Sequence, residues 1–127
     1  MQVFWVTDPE STCRQHLGYS RNMMLSRDSA EKFLADVHES HHPIVLPRYK
    51  HYKCLPVTLP IDATEGHYYA CISHFMKGTV EHDTYIFVSK TFDEAWRRMN
   101  EERQSPAQLW TFKPRPLFDV IAIDISQ

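Results

Sequence analysis

The sequence predicts an α+β domain: a mainly antiparallel sheet of five to seven strands with two helices packed on one face. Three observations carry this. Two segments, 28–40 and 92–103, repeat apolar residues at helical spacing. Several short stretches rich in β-branched and aromatic residues, bounded by Pro, Asp or Gly, read as strands. A chain of 127 residues, 43% hydrophobic and 24% charged, suffices for one core, so a single domain spanning 1–127 is expected.

Residues 2–7 are β-branched and aromatic and end at Asp8 and Pro9, a strand closed by a turn. Residues 10–22 are polar and ambiguous, and Met23 to Leu25 form a short apolar run that suits a second strand. From Asp28 to Ser40, the residues Ala30, Phe33, Leu34 and Val37 recur at i, i+3, i+4 and i+7 and make one apolar face. Asp28 with Glu31 has the form of a capping box, Ser26 competes as N-cap, and Pro43 stands past the end. Lys53–Leu59 reads as a strand. Pro56 inside it has no N–H to give a ladder, which puts the strand on a sheet edge or at a bulge. Residues 68–73 and 85–88 are the arms of a hairpin around Lys77 and Gly78. The second helix spans Phe92–Arg103, with Thr91 as N-cap, Glu94 at the capping-box position, and Phe92, Ala95, Trp96 and Met99 as its apolar face. Gln108–Phe112 adds a short strand before Pro114 and Pro116, and Phe118–Ile125 closes the chain as an apolar strand. Trp5, Phe33, Phe87, Trp96 and Phe118 are expected in the core.

The order strand, strand, helix, strand thus occurs twice. A shift of 63 places Ser26 on Ser89, Asp28 on Thr91, Glu31 on Glu94, Phe33 on Trp96 and Val57 on Val120. The opening strands match better at 65, with Phe4 on Tyr69, and the rest of the helical faces at 62. This pattern suggests a duplicated ββαβ unit, 1–63 and 64–127, in one continuous sheet with an approximate two-fold axis.

Composition excludes several function classes. Fourteen Lys and Arg against sixteen Asp and Glu leave a formal charge of −2, so nucleic acid would have to be met by a local basic patch. Three glycines and the absence of a phosphate-loop motif argue against a nucleotide cradle, and no cofactor is expected. Cys13, Cys54 and Cys71 form no staple pattern, and the N-terminus lacks a secretory signal, so a cytoplasmic location is expected. No apolar run is long enough to span a membrane.

Eight histidines stand out, seven of them between His38 and His82. His38 and His42 are i, i+4, and His51 with Cys54 and Cys71 with His74 have ligand-like spacing. Zinc prefers two short-spaced pairs on tight knuckles. In a strand, i and i+3 point to opposite faces, which separates both Cys–His pairs. No metal site is expected; His38, His42, His51 and Cys54 are the nearest candidates. Cys71, His74 and Asp83 also compose a Cys-His-Asp set on paper, a geometry that spacing alone does not establish.

The segment 47–53 alternates basic and aromatic residues. Arg48, Lys50 and Tyr52 would share one face of an extended strand, Tyr49, His51 and Lys53 the other. Trp110 and Phe112 lie in a Pro-rich polar connection, where a tryptophan either folds over the core or anchors a partner. The expected function is therefore a small interaction protein, an inhibitor, adaptor or regulator. Arg48, Tyr49, Lys50, Tyr52, Lys53, Trp110 and Phe112 would meet a protein partner. Nucleic-acid binding through 47–53 is the first alternative and a small His/Cys-dependent enzyme or metal protein the second; a homodimer is also compatible with the chain.

Overall fold

The structure is a computed structural model that describes residues 1–7, 20–39, 52–77, 80–104 and 117–127, with backbone alone at 20, 75–77 and 80–82. The elements follow in the order β1 (Gln2–Thr7), β2 (Ser20–Met24), α1 (Arg27–His38), β3 (Lys53–Thr58), β4 (Gly66–Lys77), β5 (Val80–Ser89), α2 (Phe92–Arg103) and β6 (Leu117–Ser126). The six strands form one sheet in the order β3-β1-β2-β6-β4-β5. Every neighbouring pair is antiparallel except β2 with β6, which run parallel. The expected α+β class is therefore the observed one. Among the described residues no helix is long and apolar enough to cross a membrane.

Register assigns each residue a face, because residues paired across a ladder point the same way. Val3, Trp5, Arg21, Met23, Tyr68, Ala70, Ile72, Ile121, Ile123 and Ile125 share one face. Phe4, Tyr69, Cys71, Phe118 and Val120 share the other. Both helices pack on this second side. The Arg27 guanidinium of α1 lies 4.9 Å from the Phe4 ring centroid, and Ala95 and Met99 of α2 pack with Cys71, Phe118 and Val120.

The first face carries the larger core without a described helix over it. Its cover is the sheet itself. Val57 and Thr58 of β3 and Thr84 and Tyr85 of β5 belong to the two outer strands, yet they line one cavity. The sheet must therefore curl until its edges converge, concave inside and with both helices on the convex side. Leu59, Ile61 and Ala63, between β3 and β4, complete the concave core. Gly66 then starts β4 at φ 152°, a conformation that favours glycine.

The helix boundaries match expectation at α2 and differ slightly at α1. Ser26 is the N-cap of α1, accepting from the Ser29 backbone N–H at 3.1 Å, and Asp28 sits in the first turn. Thr91 caps α2 through the Glu94 N–H at 3.4 Å. Glu94 does not return to the cap. Ser89 intervenes, accepting from Thr91 N–H at 3.1 Å and donating to Glu94 Oε2 at 2.6 Å.

The expected inward faces need correction. Ala30, Ala95, Met99 and Phe118 are buried and Trp5 and Phe87 half-buried, but Phe33 (43%), Phe92 (43%) and Trp96 (41%) are exposed. A helix touches a strongly curled sheet on its convex side along a narrow strip. The close approach is made at the small residues Ala30 and Ala95, leaving aromatics on the flanks outside it. Pro56 stands where its missing N–H requires. Met1 and Leu59 exchange backbone hydrogen bonds of 2.8 and 3.0 Å, so Val57 and Leu55 turn their backbone groups to β1 while Pro56 turns toward the free edge of β3.

Candidate functional site

A charged residue in the middle of an apolar sheet face is costly unless it is paired. Arg21 is such a residue, 2% exposed and paired with Ile123 on the concave face. Its parity follows from Met23 two positions on, because alternate residues of a strand share a face. Nη1 of Arg21 bonds the Asp83 carboxylate and donates to the Tyr85 hydroxyl at 2.9 Å. His74, 1% exposed, donates from Nδ1 to the other oxygen of the same carboxylate. The Arg21 guanidinium carbon lies 4.5 Å from the Trp5 ring centroid, a cation–π arrangement.

Two strands supply this cluster through a bulge. Tyr69, Ala70 and Cys71 pair with Ser89, Val88 and Phe87, but the next residue, Ile72, pairs with Tyr85 and leaves Ile86 as an extra residue. Val88 faces the concave core. With unbroken alternation Ile86 and Thr84 would follow it there, and Tyr85 and Asp83 would point to the convex side. The bulge reverses the phase and brings Asp83 and Tyr85 inside, opposite His74 and Ile72.

Beside the cluster is a cavity of about 510 Å³. Trp5, Leu55, Pro56, Val57 and Pro60 supply its apolar lining, and Arg21, Asp83 and Tyr85, with Thr58 and Thr84, its polar lining. Apolar enclosure with a few converging polar groups is the usual make-up of a small-molecule site. His74 stands behind Asp83 and is not among the lining residues, so it orients the carboxylate from the core side.

The residues expected from sequence to form sites do not converge here. Tyr52 and Lys53 precede and begin β3; Tyr52 is half-buried, its carbonyl accepting from His38 Nε2 at 3.2 Å, and Lys53 is exposed. Arg48, Tyr49, Lys50, Trp110 and Phe112 lie outside the described residues, as do the metal candidates His42 and His51 and the expected strand 108–112. Cys54 carries a free thiol on β3; burial and the nearby Glu31 raise its pKa while Arg27 opposes them. Among the described residues no group of three or more His, Cys, Asp or Glu side chains is placed to hold a metal ion. The Cys-His-Asp set is divided: His74 and Asp83 meet on the concave face, but Cys71 is buried on the convex one beneath α2.

The convex side carries a separate feature. Phe92 and Trp96 stack with ring centroids 5.7 Å apart, and Tyr69 meets Phe92 edge-on, also at 5.7 Å. On α2, Arg97 and Arg98 pair with Glu101 and Glu102, so that basic group is neutralised within its own helix. Searches of protein-family models, of curated proteins and of solved structures each return no match to this chain.

Proposed function

We propose that the protein works by binding, and that its principal recognition site is the concave cavity, which takes a small molecule with an apolar body and a polar group. The observation that carries this reading is the position of the buried Arg21–Asp83 pair, in the wall of a cavity that Trp5, Leu55, Pro56, Val57 and Pro60 also line. A purely structural ion pair gains nothing from an opening beside it. Binding is preferred to catalysis because the Asp83 carboxylate and the Tyr85 hydroxyl in the cavity wall are both engaged by Arg21, and Cys71 and His74 do not line the cavity. The scattered cysteines, with Cys54 and Cys71 as thiols, support a reducing compartment such as the cytoplasm.

A thermal-shift screen of small amphipathic compounds tests this. A ligand at a hundredfold excess over Kd adds about 3 kcal/mol to stability, which raises Tm by several degrees. Leu55→Trp, which fills the cavity from β3, abolishes the shift; a compound set that leaves Tm unmoved, or moves both proteins equally, refutes the site.

A second reading keeps the macromolecular partner. It is favoured by Phe33 on α1 and the stacked Phe92 and Trp96 on α2, large apolar side chains exposed on the helical side. In that reading a protein inhibitor, adaptor or regulator docks these rings, with segment 47–53 contributing charge. A partner that is nucleic acid would instead release steeply with added salt.

A further inference from the structure

We infer that the cavity receives a short peptide in extended form, which adds a strand along the free edge of β3 and places one apolar side chain on the concave side. This rests on the cavity being the recognition site and identifies the ligand's polar groups as main-chain amides.

A pocket on one face of a sheet touches alternate residues of each strand, because successive side chains point to opposite faces. Here every residue of 55–58 on β3 and of 83–85 on β5 lines the cavity. Leu55 and Val57 pair with Trp5 and Val3 on the concave face, whereas Pro56 and Thr58 pair with Phe4 and Gln2 on the convex one. Thr84 is convex as well, through its register with Ser73 and Phe118. The cavity therefore runs along the gap between the two end strands of the sheet, and strand backbone forms part of its wall.

The exchange of hydrogen bonds between Met1 and Leu59 fixes the phase of β3, so Thr58, like Pro56, turns its backbone away from β1. Among the described residues that side is the free edge of the sheet, where Thr58 offers an N–H and a carbonyl and Pro56 a carbonyl alone. A strand added to a sheet edge is recognised in this way: main-chain hydrogen bonds hold it, and alternate side chains enter pockets on either face. Opposite Val57 its side chain lies on the concave side, toward Trp5 and Leu55. Opposite Thr58 it points to the convex side, where Thr84 supplies a hydroxyl. An apolar residue flanked by polar ones matches that alternation. A compound with a single polar group meets one backbone group and leaves the rest of the edge unused. Because Pro56 lacks a donor, a long strand gains little beyond Thr58, and the site is confined to a short segment.

Nuclear magnetic resonance titration of the full chain with acetyl-Thr-Leu-Thr-amide tests the added strand. The Thr58 amide proton is expected to move downfield on saturation, as a newly hydrogen-bonded donor does. Serine in place of the peptide's leucine weakens binding about tenfold or more. Ester oxygens substituted one at a time for the peptide N–H groups cost roughly threefold to tenfold at one position at least, the size of a net hydrogen bond. Thr58→Pro withdraws the donor without touching the β1 ladder and lowers affinity by a similar factor. Should it fail to fold, the ester series on the unaltered chain decides by itself. Binding that leaves the Thr58 proton unmoved, or ester substitution tolerated at every position, overturns the added strand. So does a peptide that fails to bind while amphipathic compounds still raise Tm; in each of these cases the cavity reading stands. Absence of peptide binding together with an unmoved Tm in the wider screen overturns both.

Discussion

Cys71 illustrates what one buried side chain does to the whole stability curve. The thiol is fully enclosed under α2, and burial, with Glu102 adding and Arg98 and Arg103 opposing, raises its pKa from 9.0 to about 11. In the unfolded chain the thiol ionises near its ordinary value, so above that pH unfolding releases a proton. The stabilising effect is therefore complete below pH 9, and it is lost as pH rises from 9 to about 11. The loss amounts to roughly 2–3 kcal/mol. Comparing urea midpoints of the parent and Cys71→Ala at pH values on either side of this window should reveal a steeper alkaline decline in the parent. Parallel declines would mean that the thiol does not contribute. At this scale the candidate site was partly legible. His74 and Asp83 could be paired on paper, and the opposite orientation of Cys71 follows from its i, i+3 spacing in a strand. Arg21 was hidden because residues 10–22 look uniformly polar. The available signal was its parity with Met23, which places a cation on the face of a buried methionine.

At the scale of elements, the sequence carries caps and edges better than bulges. Thr91, Ser26 and Pro56 each act through a local rule, a side-chain acceptor or a missing donor, and their neighbours are enough to read them. Residues 85–88 are apolar without a break, so alternation has nothing to register the extra residue at Ile86. Yet that residue determines which face receives Asp83 and Tyr85. The helical aromatics failed for a related reason: a wide apolar stripe says that a helix is amphipathic but not how much of the stripe a curved sheet can touch. Pro56 also yields a prediction. β3 is an outer strand, and the proline removes a donor from its free edge, which discourages edge-to-edge pairing. Pro56→Val restores that N–H. Sedimentation velocity over a concentration series should then detect more self-association in the variant than in the parent at equal concentration. Identical profiles would show that the edge is guarded by other means.

Across the whole molecule the two halves share more than element order. Each contributes three strands in the spatial order third, first, second, and β2–β6 is the seam between them. The helices are twelve residues each and start 65 positions apart, as do their N-caps Ser26 and Thr91. The hairpin pairs Phe4–Met24 and Trp5–Met23 recur as Tyr69–Ser89 and Ala70–Val88 at the same offset. In the last strand it becomes 66, Gln2–Thr58 matching His67–Asp124. The structural offset therefore differs from the shift of 63 that best superposes residue types, and one added position between helix and final strand accounts for the change. This likeness of topology does not make the halves independent. The concave core joins Val3, Met23 and Leu59 of the first half to Tyr68, Ile72, Ile121 and Ile123 of the second, and the site takes Trp5 and Arg21 from one and His74, Asp83 and Tyr85 from the other. Separating the halves would expose that shared core and strand a buried charge on each side. Unfolding is accordingly expected to be a single cooperative transition, with far-UV circular dichroism and tryptophan fluorescence giving the same urea midpoint. Fragments 1–63 and 64–127 should each lack a cooperative transition. Two resolved transitions, or a fragment that folds alone, would mean that the seam between β2 and β6 joins two autonomous units and that the cavity lies between them.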